Sequence, residues 1–331
     1  MKIAIVKLSA LGDIVHAMIV IQFIKKFNKE ISIDWFVEEG FKDLLEFHPD
    51  INKVYSINFQ KVKKEKSLYL LFKELKKVNK LNPYDLVIDM QGLIKSAIIS
   101  KLIPSKQTLG FDKFSSRERL ASIFYSKTFK CSYTKNVIER NIALIENALG
   151  FCISDEEIYN KIPFLHSKRK KLSFQQSDFK KNIILIPGAS NKSKRFPHFK
   201  LAELTKLIDA NFIIIWSSEE EKFLAQQIKE ISHDVNICNK LQLDSLILLI
   251  SQADLVIGPD TGPTHMSWAL NIPSITLFGP TPGYRNTLVT SINKIIESKS
   301  KVNPSKINKN DYSIKDISVE EVIATVKELI F

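Results

Sequence analysis

The segment Gly258-Pro259-Asp260-Thr261-Gly262-Pro263-Thr264-His265 gathers a carboxylate, two hydroxyls and an imidazole between an apolar run and a helical pattern. Pro263 suits a first helical turn, where a missing N–H is no loss. The amides around Thr261, Gly262, Thr264 and His265 can then meet an anion at the positive end of the helix. A carboxylate beside that anion is costly unless it has a task of its own, and holding sugar hydroxyls is one such task for Asp260.

Three further segments have the same character. Pro187-Gly188-Ala189-Ser190, followed by Lys192, Lys194 and Arg195, sets a glycine turn, a hydroxyl and cations after an apolar run. That suits phosphate, and it equally suits a polar turn with solvated lysines. Lys7-Leu8-Ser9-Ala10-Leu11-Gly12-Asp13 places Asp13 at the start of a helix. There a carboxylate can cap backbone N–H groups or serve as a general base, and spacing alone leaves both open. His16, one turn on, fits packing or hydrogen bonding better than ligation. The stiff stretch Gly279–Arg285 reads as a turn or as a ligand contact.

Several motifs are absent. There is no GxxxxGK[ST], so this is not a P-loop, and no GxGxxG, which argues against a nicotinamide enzyme. No DxD and no metal-spaced His/Cys cluster occur, so neither metal nor cofactor is expected. A leaving diphosphate would be stabilised by helix amides and lysine instead.

The elements that must position these residues alternate. Apolar runs at Lys2–Lys7, Ile31–Val37, Val54–Ile57 and Asp85–Met90 read as strands, with a helix over Ile14–Phe27. Runs at Asn182–Pro187, Asn211–Trp216, Val235–Cys238, Asp254–Gly258 and Pro273–Gly279 repeat the pattern, and a helix over Val319–Ile330 closes the chain. Near-continuous Val/Ile/Leu strands between helices indicate parallel sheets covered on both faces. The polar stretch Leu165–Lys181 reads as a linker. The expected organisation is α/β, with Rossmann-like domains at 1–165 and 182–331 around a linker at 166–181, the two parallel sheets facing a central cleft. A length of 331 residues agrees with two domains.

Net charge is +12. Only six of the 48 basic residues are Arg, and residues 60–130 alone carry +10. Shortage of Arg and the localised excess argue against nucleic acid, which is read by Arg forks. Val62–Leu81 reads as one basic amphipathic helix, either packed on the sheet with a solvated lysine face or lying on an anionic bilayer. Three cysteines with no CxxC pair suggest a reducing compartment. No apolar run reaches about 18 residues, and the N-terminus lacks a signal-peptide pattern. The expectation is a cytoplasmic protein with at most peripheral membrane contact.

Taken in order, Lys7–Ala17 (KLSALGDIVHA), Asp89–Ala97 (DMQGLIKSA), Ser115–Tyr125 (SSRERLASIFY), the DTGPTH loop and the GPTPG that follows resemble the ADP-heptose:lipopolysaccharide heptosyltransferases. These are two-domain glycosyltransferases of the GT-B type, and the similarity runs over nearly the whole chain. The resemblance implies transfer of heptose from ADP-heptose to a Kdo of Kdo2-lipid A with inversion, or the related reaction that adds a second heptose or uses another core acceptor. It implies Asp13 as the base. It implies donor contacts from Ser190, Lys194, Trp216, Glu219, Leu241, Asp260, Thr261, Gly262 and His265. Lys7, Arg117, Arg119 and Arg140 are the candidates for acceptor carboxylates and phosphates. It also implies a peripheral place on the cytoplasmic face of the inner membrane. The family often has two threonines where this chain has Ala189 and Ser190.

Overall fold

A computed structural model describes residues 1–171 and 176–331; residues 172–175 of the expected linker lie outside the described residues. The chain forms two compact units, Met1–Phe164 and Leu165–Phe331.

The N-terminal unit holds β1 (Lys2–Val6), β2 (Ser32–Glu38), β3 (Lys53–Ile57), β4 (Leu86–Asp89), β5 (Thr108–Phe111) and β6 (Lys127–Phe129) in one sheet of order β3-β2-β1-β4-β5-β6. Every pairing is parallel. Central strands must be apolar on both faces, and Ile3, Ala4, Ile5 and Val6 are all fully buried. Each large apolar side chain so buried contributes about 1.5–3 kcal/mol.

The C-terminal unit repeats the design. It holds β7 (Asn182–Leu185), β8 (Asn211–Ile214), β9 (Val235–Ile237), β10 (Leu255–Pro259), β11 (Ser274–Phe278) and β12 (Asn293–Glu297), in the order β12-β11-β10-β7-β8-β9. Its pairings are parallel as well. Two parallel α/β sheets agree with the expected fold class.

Strand order fixes where ligands can sit. In each sheet the order reverses direction once, between β1 and β4 and between β7 and β10. Ligands of open α/β sheets bind beyond the carboxyl ends of the strands at such a reversal. Register does the rest. Val6 lies opposite Asp89, Leu185 opposite Ile257, and Pro259 opposite Leu277. The Lys7–Asp13 loop therefore adjoins Asp89–Gly92. The Pro187–Ser190 loop adjoins Asp260, which in turn adjoins Gly279–Pro282.

Two helices differ from expectation. The run Ile14–Phe27 is built as Leu11–Met18 and Val20–Phe27, with Ile19 still in right-handed helical geometry between them. Val62–Leu81 is not one helix: Phe59–Glu65 ends at Lys66 in a left-handed conformation (φ 50°), and Leu68–Asn79 starts afresh. Ser67 caps the new helix by accepting from the Leu70 N–H at 3.2 Å. A short hydroxyl at N-cap favours a restart strongly enough to interrupt an otherwise unbroken apolar period.

Candidate active site

In the C-terminal unit the site is built around Asp260. Helix Gly262–Ala269 begins just after β10, with Thr261 at its N-cap and a proline in its first turn. Asp260 is buried, and four side chains converge on its carboxylate. Lys194 Nζ lies 2.6 Å from Oδ2 and also donates to the Asp260 carbonyl at 3.0 Å. Thr281 Oγ1 and Asn286 Nδ2 donate to the same Oδ2 at 2.9 and 3.2 Å. His265 Nε2 shares a hydrogen bond with Oδ1 at 2.9 Å. Burial alone would push this carboxyl up, but the Lys194 charge and the His265 hydrogen bond outweigh it and hold it well below the usual carboxylate range.

The N-cap beside it is incomplete. Thr261 makes no side-chain capping bond. Its Oγ1 is buried and has no hydrogen-bond partner among the described residues. A buried hydroxyl left unsatisfied costs ~1–3 kcal/mol, which an incoming acceptor atom would recover. The first turn of the helix follows it directly. Together these form a place for an anion, with a half-buried cation, Lys194, at its edge.

The Pro187–Ser190 loop is held against this place by helix Glu219–Ile231. Glu221 accepts from Ser217 N–H, Ser217 Oγ and Ser218 N–H at 2.7, 2.7 and 3.3 Å. Its carboxylate lies so close over Gly188 that a Cβ there would meet Glu221 Cδ at 2.3 Å. Only glycine fits. Glu220 locks the cationic stretch through Lys192 at 3.1 Å and Arg195 at 2.9 Å, and those hydrogen bonds hold its pKa down at about 2.

The remaining donor candidates divide. Ser190 is exposed at the loop tip. Trp216, just beyond β8, is fixed by its Nε1–H donating to the Cys238 carbonyl at 2.7 Å. Leu241 is half-buried, in the loop before helix Leu243–Ser251. Glu219 is the first residue of its helix, with a side chain 83% exposed and paired with Lys222 at 4.0 Å. Lys194, Asp260, Thr261, Gly262 and His265 come together at the helix start. Thr281 sits in a loop recognisable from sequence as a site edge. Asn286 carries no sequence signal, because its bond to Asp260 is made across 26 residues.

In the N-terminal unit, Asp13 is exposed in the first turn of helix Leu11–Met18 and accepts from the Ala10 N–H at 3.3 Å. That is a long, bent-back cap, and the carboxylate remains open to solvent. Lys7 is buried, and its Nζ donates to the Met90 carbonyl at 2.9 Å. Arg117 and Arg119 are exposed around the 3-10 segment Arg119–Phe124. Arg140, a candidate for the acceptor side by sequence, is held by backbone carbonyls in the structure. It is buried, one amino group donates to the Cys131 and Ser132 carbonyls, and the other donates to the Ser115 carbonyl at 2.8 Å. Its guanidinium lies 4.4 Å from the Phe111 ring centre. Arg140 therefore ties two loops together. Among the described residues no group of three or more His, Cys, Asp or Glu could hold a metal ion.

Two doubly wound parallel-sheet units with their sites at the strand reversals are the architecture of GT-B glycosyltransferases. Solved structures of that type match the whole chain. Escherichia coli heptosyltransferase WaaC with ADP gives a TM-score of 0.81 at 23% identity, covering 99% of each chain. Escherichia coli ADP-heptose LPS heptosyltransferase II gives 0.72 at 20% identity, covering 100% of this chain and 98% of the other. The family model for glycosyltransferase family 9 (heptosyltransferase) matches residues 70–313. Lipopolysaccharide heptosyltransferase 1 of Campylobacter coli is 41% identical over 99% of each chain. Lipopolysaccharide heptosyltransferase 1 of Escherichia coli K12 is 27% identical, over 86% of this chain and 89% of the other. The chain belongs to glycosyltransferase family 9, the heptosyltransferases.

Proposed function

We propose that this glycosyltransferase moves heptose from ADP-heptose to a Kdo sugar of Kdo2-lipid A during assembly of the lipopolysaccharide core, with inversion at the anomeric carbon. The observation that carries the donor reading is the helix start at Thr261. There an orphaned buried hydroxyl at the N-cap of helix Gly262–Ala269 stands beside the Lys194–Asp260 pair. The family and the 41% identity to a lipopolysaccharide heptosyltransferase 1 support the substrate class.

In the proposed reaction an acceptor hydroxyl oxygen attacks the anomeric carbon, and the bond from that carbon to the diphosphate oxygen breaks. Asp13 takes the hydroxyl proton, and the departing ADP carries the electron pair. A positioned base supplies about 10²–10⁴-fold in rate. Negative charge growing on the diphosphate meets Lys194, the Thr261 hydroxyl and the first-turn amides of Gly262 and Thr264. Asp260, kept ionised by Lys194 and His265, accepts from heptose hydroxyls in place of the Thr281 and Asn286 donors. Trp216, Leu241, Ser190 and Glu219 line the nucleotide. Arg117 and Arg119, exposed in a basic region, pair with acceptor carboxylates or phosphates, and Lys7 supports the base loop from beneath.

The same unit offers a surface for peripheral docking on the anionic cytoplasmic face of the inner membrane. The crossovers β3 to β4, β4 to β5 and β5 to β6 all step the same way along the sheet. Right-handed connections therefore place helices Phe59–Glu65, Leu68–Asn79 and Ile94–Leu102 and segment Arg119–Phe124 on one face. That face exposes Leu68, Tyr69 and Phe72 among lysines, and Leu120 and Ile123 beside Arg117 and Arg119. Apolar anchors within a basic field suit anionic lipid.

Purified protein incubated with ADP-heptose and Kdo2-lipid A tests the proposal through ADP release and product mass. Transfer of one heptose is the expected result. Transfer only to an acceptor that already carries heptose would assign the chain to second-heptose addition.

A further inference from the structure

We infer that Gln91 is a positioning residue for Asp13, holding the loop that carries it through both ends of one side-chain amide. The inference rests on the reading of Asp13 as the base.

Between the end of β1 and helix Leu11–Met18 the chain has few internal bonds of its own. The anchoring comes from elsewhere. The Leu8 carbonyl accepts from the Glu38 N–H at 3.1 Å. The Leu8 N–H, on a fully buried residue, donates to Gln91 Oε1 at 2.7 Å. Gln91 Nε2 donates to Ser9 Oγ at 3.3 Å, and Lys95 Nζ donates to the same hydroxyl at 3.3 Å. The next residue, Ala10, is bonded to the helix it opens: its carbonyl accepts from the Ile14 N–H at 2.9 Å and its N–H donates to Asp13 Oδ2 at 3.3 Å. Gln91 thus fixes the two residues that immediately precede the Asp13 cap.

Gln91 is itself held rigidly. Its backbone N–H and that of Gly92 donate to Asp89 Oδ1 at 2.8 and 3.2 Å. Asp89 is fully buried at the end of β4, and its Oδ2 accepts from the Tyr125 hydroxyl at 2.8 Å. Gly92 completes the turn in a left-handed conformation (φ 68°), and its carbonyl accepts from the Glu118 N–H at 3.3 Å. The support under Asp13 therefore runs from the end of the Arg119–Phe124 segment through Asp89 to Gln91. Among side chains of this length, a carboxamide alone offers both an acceptor for Leu8 and a donor for Ser9. A general base must be held close to its productive place, since a displacement of about 1 Å can cost ~10²-fold in rate.

The test measures kcat and the ADP dissociation constant for Gln91→Met, Gln91→Glu and Ser9→Ala, with Asp13→Ala alongside. Gln91→Met keeps length and loses both bonds. Its kcat should fall about 10–100-fold while ADP affinity stays within twofold. Gln91→Glu still accepts from Leu8, and Ser9 can rotate its hydroxyl to donate. It should recover several-fold of the loss. Ser9→Ala removes one anchor without unpairing a buried amide, and a several-fold fall is expected even if Gln91→Met fails to fold. Gln91→Met or Ser9→Ala at wild-type kcat would overturn the positioning role, as would Gln91→Glu no better than Gln91→Met. If Asp13→Ala itself turns over like the wild type, the base reading fails and this inference with it. An inactive Asp13→Ala beside a fully active Gln91→Met sinks only the inference.

Discussion

At the scale of single residues, Asp260 decides the most. Its carboxylate neutralises Lys194 and bonds His265, Thr281 and Asn286. Asp260→Asn should leave ADP affinity unchanged or improved, because Lys194 is released to the diphosphate. The extra affinity of ADP-heptose over ADP should disappear, and calorimetry with both ligands checks this. The pH dependence follows from the depressed pKa. A carboxyl lowered on folding contributes stability that is fully present above its unfolded value of ~3.9 and is lost as pH falls toward the folded value. Wild type should therefore lose more Tm than Asp260→Asn between pH 6 and pH 3. Lys194→Ala removes the cation and leaves a buried charge short of its partner. Roughly 3–5 kcal/mol of stability is at stake, and donor affinity should fall with it. Unchanged ADP binding in a folded Lys194→Ala would remove Lys194 from the phosphate site.

At the scale of elements, two local choices shape the sites. Gly188 leaves the space that Glu221 fills while capping helix Glu219–Ile231. Gly188→Ala forces that carboxylate off its three donors. A loss of about 1–3 kcal/mol is expected by thermal melting, together with weaker ADP binding from the displaced loop. Lys66 holds a left-handed conformation that costs a non-glycine residue about 1 kcal/mol. Lys66→Gly should therefore raise Tm slightly without changing kcat; a lower Tm would show that the break between the two helices is held by something other than backbone geometry.

At the scale of the whole molecule, the charge of +12 has a location and a face. Co-sedimentation should show binding to vesicles containing anionic lipid, weakening with salt, and little binding to zwitterionic vesicles. Leu68→Ser with Phe72→Ser, or Leu120→Ser with Ile123→Ser, should reduce the anionic binding severalfold. Unaltered partitioning in both pairs would remove this face from membrane contact. Much of the fold is legible in the order of residue types. The strands around both sites are legible because a parallel sheet buried on both faces demands apolar runs, and KIAIVK, NIILIP and DLVIG are such runs. β5 and β12 are not. Thr108–Phe111 carries a glycine that makes room for the Tyr125 ring, and Asn293–Glu297 is largely polar. The loops at the strand ends are visible by residue type, and Lys194, Asp260, Thr261 and His265 do meet beside one of them. Arg140 donates to the Cys131, Ser132 and Ser115 carbonyls, and backbone acceptors leave no trace in a side-chain pattern. Apolar periodicity and turn chemistry act over a few residues, so the sequence by itself determined the alternation of strand and helix and the polar loops after the strands. Strand order and register bring Gln91 to Leu8 across 83 residues and Asn286 to Asp260 across 26. Those pairings belong to the tertiary structure, because no short-range force distinguishes a residue that will be bonded across the sheet from one left in water.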